Sequence, residues 1–277
     1  MISRTFLHIK NVGAHIERQL WNQGILSWKD FLESGITPSK RVTAIREEIP
    51  NSYKALDNLN HSYFSKSLPI SEHWRLFKDF AHSTAYIDIE TTGLSPDYCD
   101  ITTIALYDGE EIKHYVNGDN LNNFVRDITN YSVIVTFNGR CFDVPFIQKY
   151  FGIELKQSHI DLRFVLASLG FSGGLKACEK AFQLSRNETE GIDGLMAVYL
   201  WDEYVRGKKT ALDTLLAYNI TDVVNLEYLM HMAYNMKLDK LGFGVENHLV
   251  IPAHPDIPFE VDNGLVEKLK NKYFTYV

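Results

Sequence analysis

The sequence predicts an α/β fold, a mixed sheet flanked by helices with a small helical region ahead of it, and three observations carry that expectation. Strand-like runs lie between residues 84 and 137, helical periodicity dominates from Phe142 onward, and the run Ser132 to Phe137 is almost continuously apolar. A run of that kind reads as a strand buried on both faces, as a parallel strand under crossover helices is. Strands first and helices later, with one crossover, then give a mixed sheet covered by helices.

From Phe6 to Ser34, apolar residues recur at helical intervals, broken at Asn11-Val12-Gly13 and Gln23-Gly24-Ile25, which predicts short helices joined by tight turns. This pattern is similar to a helix-hairpin-helix element, with Asn11 where that motif has its first glycine; a helical hairpin that merely packs fits the residues equally well. A helix is expected around Ser39 to Glu48, with Pro38 and Pro50 as breakers, and a short amphipathic helix from Pro69 to Phe80. Strands follow at Thr84 to Glu90, Ile101 to Tyr107 and Glu111 to Val116. Asp108-Gly109 between the last two is a hairpin signal. Helices are then expected over Leu121–Thr129, Val144–Phe151, Asp161–Leu169, Gly174–Phe182, Asp193–Tyr204, Thr210–Met236 and Asp262–Lys272. The expected division is a helical region over 1–70, the α/β domain over 71–236 and a C-terminal extension over 237–277 packing on it.

With 45% apolar residues, the 277-residue chain can bury a core without staples. No apolar run reaches the ~18 residues of a membrane span and no leader pattern opens the chain, so a cytoplasmic protein is expected. Cys99, Cys141 and Cys178 offer neither a disulfide framework nor a zinc spacing and are expected to be buried or half-buried thiols. The net charge of −7 is unevenly spread: residues 1–80 hold 11 Lys or Arg against 8 Asp or Glu, leaving −10 for the remainder. That bias makes the N-terminal part the side for phosphate contact.

Within the strand Thr84 to Glu90, alternation sends Ala85, Ile87 and Ile89 to one face and Tyr86, Asp88 and Glu90 to the other. Two carboxylates ~7 Å apart on a half-buried face repel and resist desolvation, so they call for a cation. An all-oxygen site suits Mg²⁺ or Mn²⁺. Asp143 follows the most buried strand, where ligand groups of open α/β sheets gather, and it also suits a helix N-terminus. Tyr218 and Asp222 are i and i+4 on the long helix and can address one site.

An ordered set of motifs completes the pattern: Asp88-Ile89-Glu90-Thr91-Thr92-Gly93-Leu94, Phe137-Asn138-Gly139 with Phe142-Asp143, His159-Ile160-Asp161-Leu162-Arg163, Gly174-Leu175-Lys176 with Glu179, and Tyr218-Asn219 with Asp222-Val223. With the helical lead-in of Trp21, Gly24-Ile25 and Trp28, this set resembles the DEDD exonucleases of ribonuclease-H-like fold, in their tyrosine-containing DEDDy branch, and within it the YprB-type proteins.

The resemblance implies a nuclease that removes nucleotides from the 3′ end of DNA or RNA with two divalent cations, Mg²⁺ or Mn²⁺, and no organic cofactor. It implies that Asp88, Glu90 and Asp222 hold one ion and that Asp88 bridges to a second that Asp143 helps to hold. Tyr218 would orient the attacking water; Ala217 stands at the position of the histidine branch. Asn138 and Phe142 would line the pocket for the terminal nucleotide, Thr91, Thr92, Gly93 and Leu94 would pass the scissile region, and Lys176 and Arg163 would meet phosphates. Asp161 and Glu179 are expected to partner neighbouring basic groups. An inactive nucleic-acid-binding module and a structure-selective endonuclease are the competing expectations.

Overall fold

The computed structural model describes residues 1–184 and 192–273; residues 274–277 of the expected C-terminal extension and 185–191 of the expected α/β domain lie outside it. Two compact units divide the chain, Met1–Ser83 and Thr84–Val277.

The first unit is helical: α1 (Ala14–Asn22), α2 (Trp28–Glu33), α3 (Lys40–Asp57), α4 (His61–Ser67) and α5 (Phe77–Phe80), the last preceded by a 3₁₀ stretch, Ile70–Leu76. The helix starts follow side-chain caps, since the hydroxyls of Ser27 and Ser39 and the Asn60 amide oxygen accept from Asp30, Val42 and Tyr63 backbone N–H groups. Phe6, Trp28, Phe31, Phe64 and Trp74 form its core. Two expectations are corrected here. The residues between Phe6 and Asn11 are turns, not a helix, with Asn11 at φ 67°. Pro50 does not end the third helix but lies inside it. The ring forfeits one backbone hydrogen bond; Ile45, Ile49, Ser52 and Ala55, buried along the same face, offset that loss.

The second unit is built on a five-stranded sheet in the order β3-β2-β1-β4-β5. Its strands are β1 (Thr84–Thr91), β2 (Ile101–Tyr107), β3 (Ile112–Val116), β4 (Val133–Thr136) and β5 (Ser158–Asp161). β1, β2 and β3 form an antiparallel meander, while β4 runs parallel to β1 and β5 parallel to β4. The sheet is therefore mixed and flanked by helices, as the run order predicts. β5 is the strand that pattern reading misses: Ser158-His159-Ile160-Asp161 is four residues long, too short to display alternation against its polar composition.

One face of the sheet packs Ala85, Ile87, Ile89, Ile104 and Ile134 against α6 (Asn123–Asp127) and α7 (Asp143–Phe151), through Phe124, Phe146 and Ile147. The expected helix over Leu121–Thr129 is thus α6 followed by a 3₁₀ turn, Ile128–Asn130. The other face is crossed by α11 (Lys209–Leu241), whose 33 residues span about 50 Å and contact β1, β2 and β4. α8 (Leu162–Leu169) and α10 (Gly194–Val205) lie against α11, and α9 (Leu175–Ala181) follows α8. α12 (Asn263–Tyr273) packs Leu265, Val266 and Leu269 with Met196, Leu200 and Leu215. None of the described helices is long and apolar enough to cross a membrane. Cys178 is buried and Cys99 half-buried, but Cys141, expected to be shielded, is exposed because it sits in the turn between β4 and α7.

Candidate active site

β1 enters the α11 side of the sheet carrying Asp88 and Glu90, and its pairing with β2 is regular from Tyr86 opposite Tyr107 to Glu90 opposite Thr103. Thr91 then pairs with Ile101, so Thr102 is an extra residue. A bulge of this kind re-aims the strand at its end, here where Glu90 meets the cleft. α11 supplies Tyr218 and, one turn later, Asp222. Ligand oxygens of Asp88, Glu90 and Asp222 lie within 4.8 Å of one another. Asp143, first residue of α7, accepts at its Oδ1 from the Ile89 backbone N–H at 3.2 Å, tying the helix start to the centre of β1.

These side chains line a cleft of about 260 Å³. Of the residues expected at the site, it collects Asp88, Glu90, Thr91, Gly93, Leu94, Asn138, Phe142, Asp143, Tyr218 and Asp222. Thr92 and Lys176 are not on its lining. Thr92 Oγ1 accepts from the Asp100 backbone N–H at 2.9 Å. Lys176 donates to the Ile192 carbonyl and places its Nζ 5.3 Å from the Tyr218 ring centroid.

The electrostatics of the cleft are unfavourable without a counter-charge. Burial, then Asp222, Asp143 and Glu90, push the Asp88 carboxyl well above the usual carboxylate range, against the pull of a hydrogen bond from Asn219. Burial, Asp222 and Asp143 do the same to Glu90, with Lys176 opposing. Burial also raises Asp143 to about 7, although the backbone N–H groups of Asp143 itself and Ile89 favour its charged form. The donor set consists of carboxylate oxygens that repel one another, which a hard divalent cation relieves; Mg²⁺ and Mn²⁺ suit such oxygens.

Two positioning features escape sequence reading. Asn219 Nδ2 donates to Asp88 Oδ2 at 2.7 Å while its Oδ1 accepts from the Thr103 hydroxyl at 3.0 Å, so a fully buried amide fixes the Asp88 carboxylate. Asp161 is the second: its carboxylate accepts from the backbone N–H groups of Asn138, Arg140 and Arg163. Its partners are thus backbone amides, not the basic side chains expected of it. Asp161 thereby holds the turn after β4, where Asn138 has φ 66° and Gly139 approaches Thr136 so closely that a Cβ would meet its Oγ1 at 2.3 Å. Glu179 accepts from Asn225 Nδ2 at 2.6 Å.

Among curated proteins, none matches the chain in sequence. Among solved structures, the family B DNA polymerase of the hyperthermophilic archaeon Pyrobaculum calidifontis aligns at 16% identity and a TM-score of 0.44 over 56% of this chain, which spans only 24% of that polymerase. NrnC of Brucella melitensis aligns at 15% identity and a TM-score of 0.41 over 73% of this chain and 91% of its own, and is also solved with pGG and with Mg²⁺. The family model of the RNase H superfamily matches residues 85–234, more than half of the chain and all of the sheet beyond Thr84, and the protein belongs to that superfamily.

Proposed function

We propose that this protein is a metal-dependent 3′-to-5′ exonuclease of DEDDy type that hydrolyses the terminal phosphodiester of a nucleic acid by a two-metal-ion mechanism. The observation that carries the reading is the convergence of Asp88, Glu90 and Asp222 within 4.8 Å in a cleft that Asp143 and Tyr218 also line. Asp88, Glu90 and Asp222 would hold one divalent ion, and Asp88 and Asp143 a second. Bound there, divalent ions supply acidification of water and charge neutralisation at the leaving oxygen.

The chain's own groups do the rest. Asn219 keeps the Asp88 carboxylate turned toward the cleft. Tyr218, one turn before Asp222 on a rigid helix, orients the attacking water through its hydroxyl. Asn138 and Phe142 bracket the terminal nucleotide, and Thr91, Gly93 and Leu94, with the Thr91 hydroxyl donating to the Gly93 carbonyl at 2.7 Å, line the same cleft. DEDDy membership and YprB-type kinship are supported by the motif set and by Tyr218 beside Asp222.

The test is a 5′-labelled single-stranded oligonucleotide incubated with Mg²⁺ or Mn²⁺. Stepwise shortening from the 3′ end that Asp88→Ala and Asp222→Ala abolish is the expected result. An intact substrate in both metals contradicts any nuclease reading, and discrete internal products point to an endonuclease.

A further inference from the structure

The chain beyond Tyr234 lies outside the superfamily match, yet one of its helices, α12, supports two elements that build the cleft. α10 shows the cleft Gly194 and Val198, one turn apart. Its other side carries the buried Met196, Ala197 and Leu200. These share one apolar cluster with Leu265, Val266 and Leu269 of α12 and with Tyr218 of α11. A helix with one face on a polar cleft keeps its place through what covers its apolar face, and α12 is part of that cover.

Asp262 fixes α12 to the start of α11. One carboxylate oxygen accepts from the Leu265 backbone N–H at 2.9 Å, which caps α12. The other accepts from the Thr210 hydroxyl at 2.8 Å and lies 3.1 Å from Lys208 Nζ. The Asp262 backbone N–H donates to the Thr214 hydroxyl at 2.9 Å, and that hydroxyl donates onward to the Thr210 carbonyl at 2.8 Å. Thr210, Thr214, Tyr218 and Asp222 are successive one-turn neighbours on α11. The lock therefore closes one turn before Tyr218 and two turns before Asp222. At the far end of α12, the Tyr273 ring stacks on Tyr199 of α10, with centroids 3.9 Å apart and planes 6° from parallel. α12 is thus held at both ends, to α11 through Asp262 and to α10 through Tyr273.

We infer that α12 is a positioning element of the cleft and Asp262 its positioning residue, together setting the seat of Tyr218 and the α10 wall. Asp262 is not on the cleft's lining and acts through Thr214 and the cluster under α12. A hydroxyl that orients a water has to be held to within about half an ångström, by neighbours whose own places are fixed. The inference rests on the nuclease reading of the cleft and adds the part of the chain that keeps its tyrosine in place.

The test uses the full chain with 3-fluorotyrosine in place of tyrosine, the Tyr218 signal being assigned by its loss in Tyr218→Phe. In EDTA, Asp262→Ala is expected to shift or broaden that ¹⁹F resonance, and Asp262→Asn, which keeps the cap and the Thr210 contact, to restore it. Leu269→Ala, which leaves Asp262 intact, is expected to move the resonance as well. In single-turnover 3′ shortening with Mg²⁺ and unlabelled protein, Asp262→Ala is expected to lower the limiting rate about thirtyfold, with the half-saturating enzyme concentration within about twofold of wild type. Asp262→Asn is expected to recover to within about threefold of the wild-type rate. Partial unfolding alone would instead raise the half-saturating concentration and leave the limiting rate. If Asp262→Ala does not fold, Leu269→Ala carries the same two readouts. An unmoved Tyr218 resonance, or a limiting rate equal to that of wild type, overturns the inference. The two readings fail separately: a wild type that shortens nothing refutes the nuclease while the resonance still reports on the lock, and a wild type that shortens no faster than Asp262→Ala refutes the positioning role alone.

Discussion

Glu17 in the helical unit and the Asp88, Glu90 and Asp222 group in the α/β unit are all acids withdrawn from water, and their surroundings differ in one respect. Glu17, 2% exposed, receives the Thr5 hydroxyl at 2.7 Å, the Phe6 backbone N–H at 2.8 Å and the Arg75 guanidinium at 3.0 Å. Arg75 is itself buried, bonded to Glu72 and 5.5 to 5.6 Å from the Trp74 and Trp21 rings. Every charge there is met by a fixed partner from the same chain. The carboxylates of the cleft face one another instead, and Lys176, which opposes the rise in the Glu90 pKa, also donates to a backbone carbonyl. Clustered like charges withdrawn from water are costly, and a counter-charge from solution would relieve that cost. On the function proposed above, the difference separates a structural acid from a ligand.

Four substitutions or conditions break or sharpen that contrast. The largest effect is expected at the cleft: Asp88→Ala should lower the rate of 3′ shortening about ten-thousandfold, roughly 5 kcal/mol, read from single-turnover time courses. Next comes the structural acid. Glu17→Ala leaves the buried Arg75 with Glu72 alone and strips the Thr5 hydroxyl and Phe6 N–H of their acceptor, and should cost about 4 kcal/mol of stability, read as a lower denaturant midpoint.

The third effect is a pH dependence of the helical unit. His8 is buried, its Nε2 lies 2.8 Å from the Ser52 hydroxyl, and its Nδ1 has no partner among the described residues. Burial lowers its pKa from 6.5 to about 4. The unfolded chain therefore takes up the proton first as pH falls, so the stability present above pH 6.5 is lost between 6.5 and about 4, by about 3 kcal/mol. Hydrogen exchange over α3, corrected for intrinsic rates, should show that loss, and His8→Phe should flatten it.

The smallest effect has the opposite sign to that of Glu17. In EDTA, Glu90→Gln removes one of three mutually repelling charges and should raise stability by about 1 kcal/mol. A loss of stability in that variant would show that the favourable contacts of Glu90 outweigh the repulsion.

The site's first layer is legible in the sequence because alternation on β1 and the one-turn spacing on α11 place Asp88, Glu90, Tyr218 and Asp222 without tertiary knowledge. Thr92 and Lys176 lie off the cleft's lining because the direction of a loop or helix side chain depends on its neighbours, Asp100 in one case and the Ile192 carbonyl in the other. Asn219 and Asp161 act on residues up to 131 positions away, and no local pattern encodes such a partner. In the fold, β5 is hidden by its length, and Pro50 by the packing of α3 that overrides a helix-breaking residue.

The central claim is that the three converging carboxylates form a cation site. The most direct measurement is thermal unfolding with and without Mn²⁺, in wild type and Asp222→Asn. At a hundredfold excess over the dissociation constant, linkage predicts about 2.7 kcal/mol of stabilisation in wild type, and the variant should lose most of it. A wild type that melts at the same temperature with and without Mn²⁺, or a variant stabilised as much as wild type, would contradict the account.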